Sequence, residues 1–137
     1  MNDDDDNVHF TFVVIPSQAK AFLCNSGEFQ KGLNILLTAN LDYFQSTQQK
    51  AEIFRLKGEF FQRMGDADKA RECFTEALSL HNHLPKGWLS FGYHCDNCFS
   101  STGQPIWLEY AVACYLQVSL GHMFYLFQTS LLHGSSR

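Results

Sequence analysis

An internal repeat constrains the fold of this chain more than any other feature of its sequence. Three positions recur after 34 residues: Phe54, Gly58 and Phe61 correspond to Trp88, Gly92 and Cys95. In each set the outer two positions lie four residues before and three residues after a glycine, which is the spacing of one helical face. A repeated unit of this length hides its apolar face only by stacking on its neighbours. The repeat therefore predicts consecutive helix-turn-helix units.

The residues that follow the first glycine fit the second helix of such a unit. A period of 34 is that of the tetratricopeptide repeat. Gly58 would let two paired helices approach closely, and Ala70, Phe74 and Ala77 would present small, large and small side chains along the facing helix. Lys57 departs from the consensus, which usually has Leu. The predicted repeat-packing residues are Phe54, Gly58, Phe61, Ala70, Phe74, Ala77, Trp88 and Gly92.

Apolar periodicity predicts six helices. They begin at about residues 16, 28, 49, 68, 88 and 106, and the third and fourth run to about 63 and 81. Gly65 is expected to take a positive φ and Asp66 to cap the helix after it. No segment alternates with period two over the length of a strand. The predicted class is all-α, a helical-repeat (TPR-like) solenoid fragment of about three helix pairs, with an unrelated helical bundle as the alternative.

Composition divides the chain into three expected parts. Residues 1–9, which include the run Asp3–Asp6, are expected to be an acidic disordered start, and residues 10–117 to hold the helical repeats. Residues 118–137 form a divergent apolar tail. Because an end repeat normally carries polar residues, the run from Met123 to Phe127 predicts an exposed apolar patch and self-association. The uncharged stretch 111–132 also raises a membrane span as an alternative, which its polar residues disfavour.

Charge and cysteine content exclude some classes of protein. The net charge is −4, and outside Asp3–Asp6 the acidic and basic residues balance, so the sequence offers no basic stripe for nucleic acid. The 5 cysteines are an odd number, and three of them lie in apolar helical patterns. This content favours a reduced compartment over a disulfide framework, and no secretory signal is visible.

One cluster resembles a set of metal ligands. His94, Cys95 and Cys98 follow His81 and His83, but their spacing matches no familiar zinc finger. Cys95 also occupies a predicted core position, so packing is the favoured interpretation and no metal is expected. No glycine-rich phosphate loop, H-E-x-x-H or G-x-S-x-G is present. We therefore predict no catalytic residues, no cofactor and no enzymatic activity.

A stand-alone peptide-binding adaptor is a second possible function. Co-chaperone repeats of this kind hold a C-terminal carboxylate with basic and amide side chains. The matching positions here are Glu59 and Tyr93. Because Glu59 would repel a carboxylate, that clamp is not predicted.

Several longer strings identify a family. They are LTANLDYF (37–44), KAEIFRLKGEFF (50–61), FTEALSLHNHLPKGW (74–88) and EYAVACYLQ (109–117). In this order they resemble the FAT region of the transformation/transcription domain-associated protein family, the pseudokinase relatives of phosphatidylinositol-3-kinase-like kinases. The resemblance covers residues 26–117, and HLPKGW with IWLEYAV is most similar to plant members.

The resemblance implies a scaffold function. In this family the FAT repeats wrap a kinase-like domain that has lost its catalytic residues. The whole protein belongs to nuclear histone acetyltransferase complexes of the SAGA type and receives transcriptional activators. By resemblance, the expected partners are other subunits of such a complex and activators, with neither nucleic acid nor a membrane bound directly. The short acidic start and the tail after Gln117 depart from the family pattern, as a truncated gene product would.

Overall fold

The computed structural model of the chain describes residues 15–83 and 85–134. Side chains are described throughout these ranges except at 122–129 and 131–134. The described residues form six α-helices and no β-strand, which confirms the all-α prediction. The helices are α1 (Ile15–Ala21), α2 (Phe29–Leu37), α3 (Thr47–Arg63), α4 (Ala67–Leu80), α5 (Pro85–Thr102) and α6 (Pro105–Gly134). Two compact units contain them, residues 1–82 with α1 to α4 and residues 83–137 with α5 and α6.

The first unit has a buried core cluster, to which α1, α2, α3 and two connections contribute. α1 packs on α2, α2 on α3, and α3 runs along α4. Short 3₁₀ turns at Phe22–Cys24, Ser26–Glu28 and Leu41–Tyr43 join the first helices. The buried core residues are Ala19, Leu23, Leu33, Leu36, Phe44, Ile53, Leu56 and Phe60. Gly32 is part of this core because a Cβ there would overlap the ring of Phe60.

Polar caps fix the ends of α3 and α4. Ser46 accepts a hydrogen bond from the Gln49 amide at 3.1 Å, and the Gln49 side chain accepts one from the Ser46 amide at 3.3 Å, a capping box. Gly65 has a φ of 85°, and the Asp66 carboxylate accepts a hydrogen bond from the Lys69 amide at 3.1 Å. Both features match the sequence-based prediction. A left-handed glycine ends one helix and an aspartate begins the next.

The second unit is a single helix pair. Pro85 is the first residue of α5, where its missing N–H leaves no unpaired donor and its fixed φ suits the helix. The turn to α6 needs only two residues, of which Gly103 has a φ of 68°. α6 then packs along α5.

Two sequence-based boundaries were wrong. The fifth helix begins at Pro85 rather than Trp88, because proline starts a helix as readily as it ends one. The composition of residues 100–105 predicts a loop, but only residues 103 and 104 connect α5 to α6. The sixth helix, for which the sequence predicts no end, continues to Gly134 and so includes most of the predicted tail. The disordered start at 1–9 and the exposure of the side chains from Met123 to Phe127 lie outside the described residues.

Candidate functional site

A glycine sets the closest approach of α3 and α4. A Cβ built on Gly58 would lie 2.8 Å from Cε1 of Phe74, closer than side chains tolerate. Phe74 is almost fully buried. Ala70 and Ala77 are buried one turn to either side of Phe74. The contact of α3 with α4 is therefore made where an aromatic ring of α4 fills the place of the side chain that Gly58 lacks.

The second unit has the same kind of contact at the corresponding glycine. A Cβ on Gly92 would lie 2.8 Å from Cε1 of Tyr115 on α6. The Tyr115 hydroxyl donates a hydrogen bond to the Asp96 carboxylate, one turn along α5. Burial, followed by this hydrogen bond, raises the pKa of Tyr115 above its ordinary value. The two helix pairs thus share a glycine-to-aromatic contact, although each unit supplies its own aromatic residue.

The other predicted packing residues occupy less central places. Phe54, Phe61 and Trp88 are half-buried. The Lys57 ammonium lies 4.8 Å from the centroid of the Phe54 ring, and that of Lys69 lies 5.6 Å from the Phe61 ring. At Phe54 and Phe61 a lysine ammonium thus covers the open side of an aromatic ring on the helix surface.

A buried guanidinium organises the polar side of α3. Arg55, which is 5% exposed, binds both carboxylate oxygens of Glu52 at 2.7 and 2.8 Å and one oxygen of Glu59 at 2.6 Å. Burial opposes the charge on Arg55, but the hydrogen bonds and charges of the two glutamates raise its pKa above the ordinary value. Lys20 extends the network from α1 by pairing with Glu52 at 3.3 Å. Glu59, the position that matches a carboxylate clamp, is therefore engaged within α3.

The histidine and the two cysteines of α5 are buried in the second unit. His94 is buried with its ring edge against Trp107, the ring centroids 5.8 Å apart, and its Nε2 lies 3.5 Å from Cys98 Sγ. Cys95 and Cys98 are buried beside it. Among the residues with described positions, no group of three or more His, Cys, Asp or Glu is arranged to hold a metal ion.

The far side of α6 is apolar and open. Leu108, Val112, Leu116 and Leu120 follow at intervals of four and form one ridge, here called the outer ridge. Leu116 and Leu120 are 55% and 56% exposed, whereas Trp107, Ala111 and Cys114 on the opposite side of the helix are buried. No helix within the described ranges is long and apolar enough to span a membrane.

Sequence reasoning missed two of these features. The partner of Gly92 could not be deduced, because a glycine indicates close approach without indicating which residue approaches it. The Arg55 network could have been predicted from the sequence, since glutamates three residues before and four residues after an arginine lie on the same helical face.

Two helix pairs, each packed through a glycine at the corresponding position of a 34-residue repeat, define a helical-repeat protein. Comparison with known families makes the class specific, since residues 6–120 match the FAT domain. The chain belongs to the FAT-domain family.

Its relatives are much longer proteins, and their names refer to transcription or to acetyltransferase complexes. It is 33% identical over 125 residues, or 80% of this chain, to "Probable transcription-associated protein 1" of Dictyostelium discoideum. It is 34% identical over 109 residues, 79% of this chain, to the "SAGA complex/NuA4 acetyltransferase complex subunit TRA1" of Saccharomyces cerevisiae. It is 31% identical over 110 residues, 77% of this chain, to the human "Transformation/transcription domain-associated protein". The chain spans about 3% of the length of each of these relatives.

Proposed function

We propose that this chain is a non-catalytic scaffold segment of a transformation/transcription domain-associated type of subunit, acting in SAGA-type histone acetyltransferase complexes. The observation that carries the proposal is the FAT match over residues 6–120, together with relatives that include a named subunit of the SAGA and NuA4 complexes. Its partners are then other subunits of the complex and transcriptional activators, and its compartment is the nucleus. Direct contact with nucleic acid or a membrane has no part in this function.

The packing of the chain supports a structural role. The glycines that correspond across the repeat, Gly58 and Gly92, are both used to bring helices together. Arg55, the buried cation of α3, is paired with Glu52 and Glu59 of its own helix, and Lys20 pairs with Glu52, so the charges of this network balance internally. These residues stabilise helix pairs, which is the contribution expected of one stretch in a long array of repeats.

The outer ridge supports a role in contacts. A helix that is apolar on both faces normally packs on both faces. α6 uses one face against α5 and leaves Leu108, Val112, Leu116 and Leu120 open, which is suited to contact with a protein surface. The stand-alone adaptor receives no comparable support, because Glu59 is paired with Arg55.

A chimera tests this function. Residues 26–117 of this chain replace the matching segment of the yeast SAGA/NuA4 subunit, and the complexes are purified through a tag on that subunit. We expect the acetyltransferase subunits of both complexes to co-purify at the level of the parent protein. A chimera that accumulates at normal abundance but no longer retains those subunits would contradict the proposal. A chimera with Ala70→Phe serves as the control for misfolding.

The absence of catalysis is tested on the purified chain. Titration calorimetry with ATP and with acetyl-coenzyme A should give no binding heat beyond dilution. Stoichiometric binding of either ligand would contradict the non-catalytic proposal, and this result would be independent of the chimera.

A further inference from the structure

The second unit contains a pair of buried thiols that its packing function does not require. Cys95 of α5 is 0% exposed and Cys114 of α6 is 2% exposed, and both are free thiols. Free cysteines at buried positions usually pack as small apolar side chains. For the two thiols to react with each other, their sulfur atoms must lie side by side between α5 and α6.

Contacts around the thiols fix the register of α5 and α6. Gly92, one turn before Cys95, faces the ring of Tyr115, the residue after Cys114. Asp96, the residue after Cys95, accepts the hydrogen bond of the same Tyr115. Gly92 and Asp96 precede and follow Cys95 on α5, and both contact Tyr115, which follows Cys114 on α6. The side chains of Cys95 and Cys114 therefore lie at the same level of the helix pair.

The protonation behaviour of the pair agrees with this placement. A hydrogen bond between the two thiols is the largest cause of the pKa shift at each site, raising the pKa of Cys95 and lowering that of Cys114. Burial and the charges of Cys98 and Asp96 further raise the pKa of Cys95. Cys114 is thus the sulfur that loses its proton first, and Cys95 remains the thiol beside it.

We propose that Cys95 and Cys114 form a redox site, at which oxidation by a hydroperoxide joins α5 to α6 through a disulfide. The Cys114 thiolate attacks one peroxide oxygen, the O–O bond breaks, and a sulfenic acid and hydroxide are formed. The Cys95 sulfur then attacks the Cys114 sulfur. The S–S bond forms, the S–O bond breaks, and hydroxide leaves with the Cys95 proton as water. The two thiols supply two electrons, and hydrogen peroxide is reduced to two waters.

Burial sets the rate of this reaction. An oxidant reaches either sulfur only when α5 and α6 separate locally, whereas Cys24 is exposed and reacts without any opening. The site is therefore slow to oxidise. Once the disulfide forms, it resists the same helix opening until a thiol reductant restores the pair.

Peptide mapping tests the proposal on the full wild-type chain. After oxidation with hydrogen peroxide and blocking of the remaining thiols, cleavage after glutamate and before aspartate separates the three cysteines of this unit. Cys95 falls in 77–95, Cys98 in 96–109 and Cys114 in 110–137. We expect a disulfide between 77–95 and 110–137 that forms more slowly than the oxidation of Cys24. The thermal midpoint should rise by roughly 5 °C or more and return after reduction.

Matched conditions make the result decisive. Cys98→Ser should retain the link, and Cys114→Ser should abolish it. Oxidation in denaturant should scramble the pairing, because the native register is then lost. A link to 96–109 instead, an equal mixture of links in the native chain, or no link after oxidation has continued long beyond the complete reaction of Cys24 would overturn the proposal. The wild-type map decides between these results even if a variant fails to fold.

Discussion

At the scale of single residues, the central contact is that of Gly58 with Phe74. We expect Gly58→Ala to lower the free energy of unfolding by about 1–3 kcal/mol, although alanine is the better helix former, because its Cβ would press on a buried ring. Gly121 is the matched control. It lies inside α6 with no atom within 4 Å of a built Cβ, so Gly121→Ala should raise stability by about 0.5–1 kcal/mol. Denaturant unfolding measures both, and a stabilised Gly58→Ala would contradict the contact.

The small residues beside Phe74 give a second prediction. Ala70→Phe or Ala77→Phe should destabilise the chain by about 1–3 kcal/mol, because both positions are buried against α3. Thr75, which lies between them on the exposed side of α4, is the control, and Thr75→Phe should change stability by less than about 0.5 kcal/mol. Equal effects at all three positions would show that α4 does not use this face for packing.

Tyr115 gives a prediction for pH dependence. Its pKa is raised in the folded state by burial and by the hydrogen bond to Asp96, so its stabilising effect is present below the unfolded pKa of about 10. That effect is lost as the pH rises above this value, since the unfolded chain releases the proton first. Titration of tyrosinate absorbance should show a component above the ordinary tyrosine pKa in the wild type that is absent from Tyr115→Phe. A titration curve whose high-pH part is the same in Tyr115→Phe as in the wild type would contradict this assignment.

At the scale of helices, the strongest local signal is the capping box of α3. Ser46→Ala should cost about 1 kcal/mol, because the first turn of a long, well-packed helix loses its side-chain acceptor. Gln48→Ala, an exposed change in the same turn that touches no cap, should be close to neutral. Equal destabilisation by the two variants would indicate that the capping bond contributes nothing.

The helices also show how far local sequence determines the fold. α3 and α4 could be predicted to within two residues, because a glycine, an aspartate and a regular apolar face mark their ends. Phe44 could not be predicted as part of the core. It lies in a polar connection whose 3₁₀ turn, Leu41–Tyr43, directs it inward. The end of α6 at Gly134 was not predicted, because the residues after Gln117 keep no repeat register although the helix continues.

The same limit applies to the candidate site. Gly58 and Gly92 could be found by their period, because a repeat constrains the residues that must be small. Tyr115 and the Cys95–Cys114 pair could not, because they depend on the register between two helices rather than on spacing along one.

At the scale of the whole molecule, the open ridge on α6 predicts self-association. The purified chain should form dimers or larger species by light scattering, since Leu116 and Leu120 leave apolar surface exposed. Leu116→Glu should shift the chain toward monomer, while Gln117→Glu, a charge placed on a neighbouring exposed polar residue, should not. Truncation after Gln117 should shorten α6 and keep the other helices, as circular dichroism would report. A wild-type monomer that loses its helical signal on that truncation would contradict this prediction.

The central claim is that this segment contributes to a large complex by packing its helices, and subunit retention in the yeast chimera measures this most directly. Three versions of the transplanted segment are compared by quantitative mass spectrometry of the purified complexes: the wild type, Gly58→Phe, and the double variant Glu72→Ala and Glu76→Ala. The last removes two of the three exposed carboxylates on α4, leaves Asp68 in place, and disturbs no described packing contact. Our account predicts normal amounts of acetyltransferase subunits for the wild type and the double variant, and a loss for Gly58→Phe. Full retention in Gly58→Phe, or a loss confined to the carboxylate variant, would contradict it.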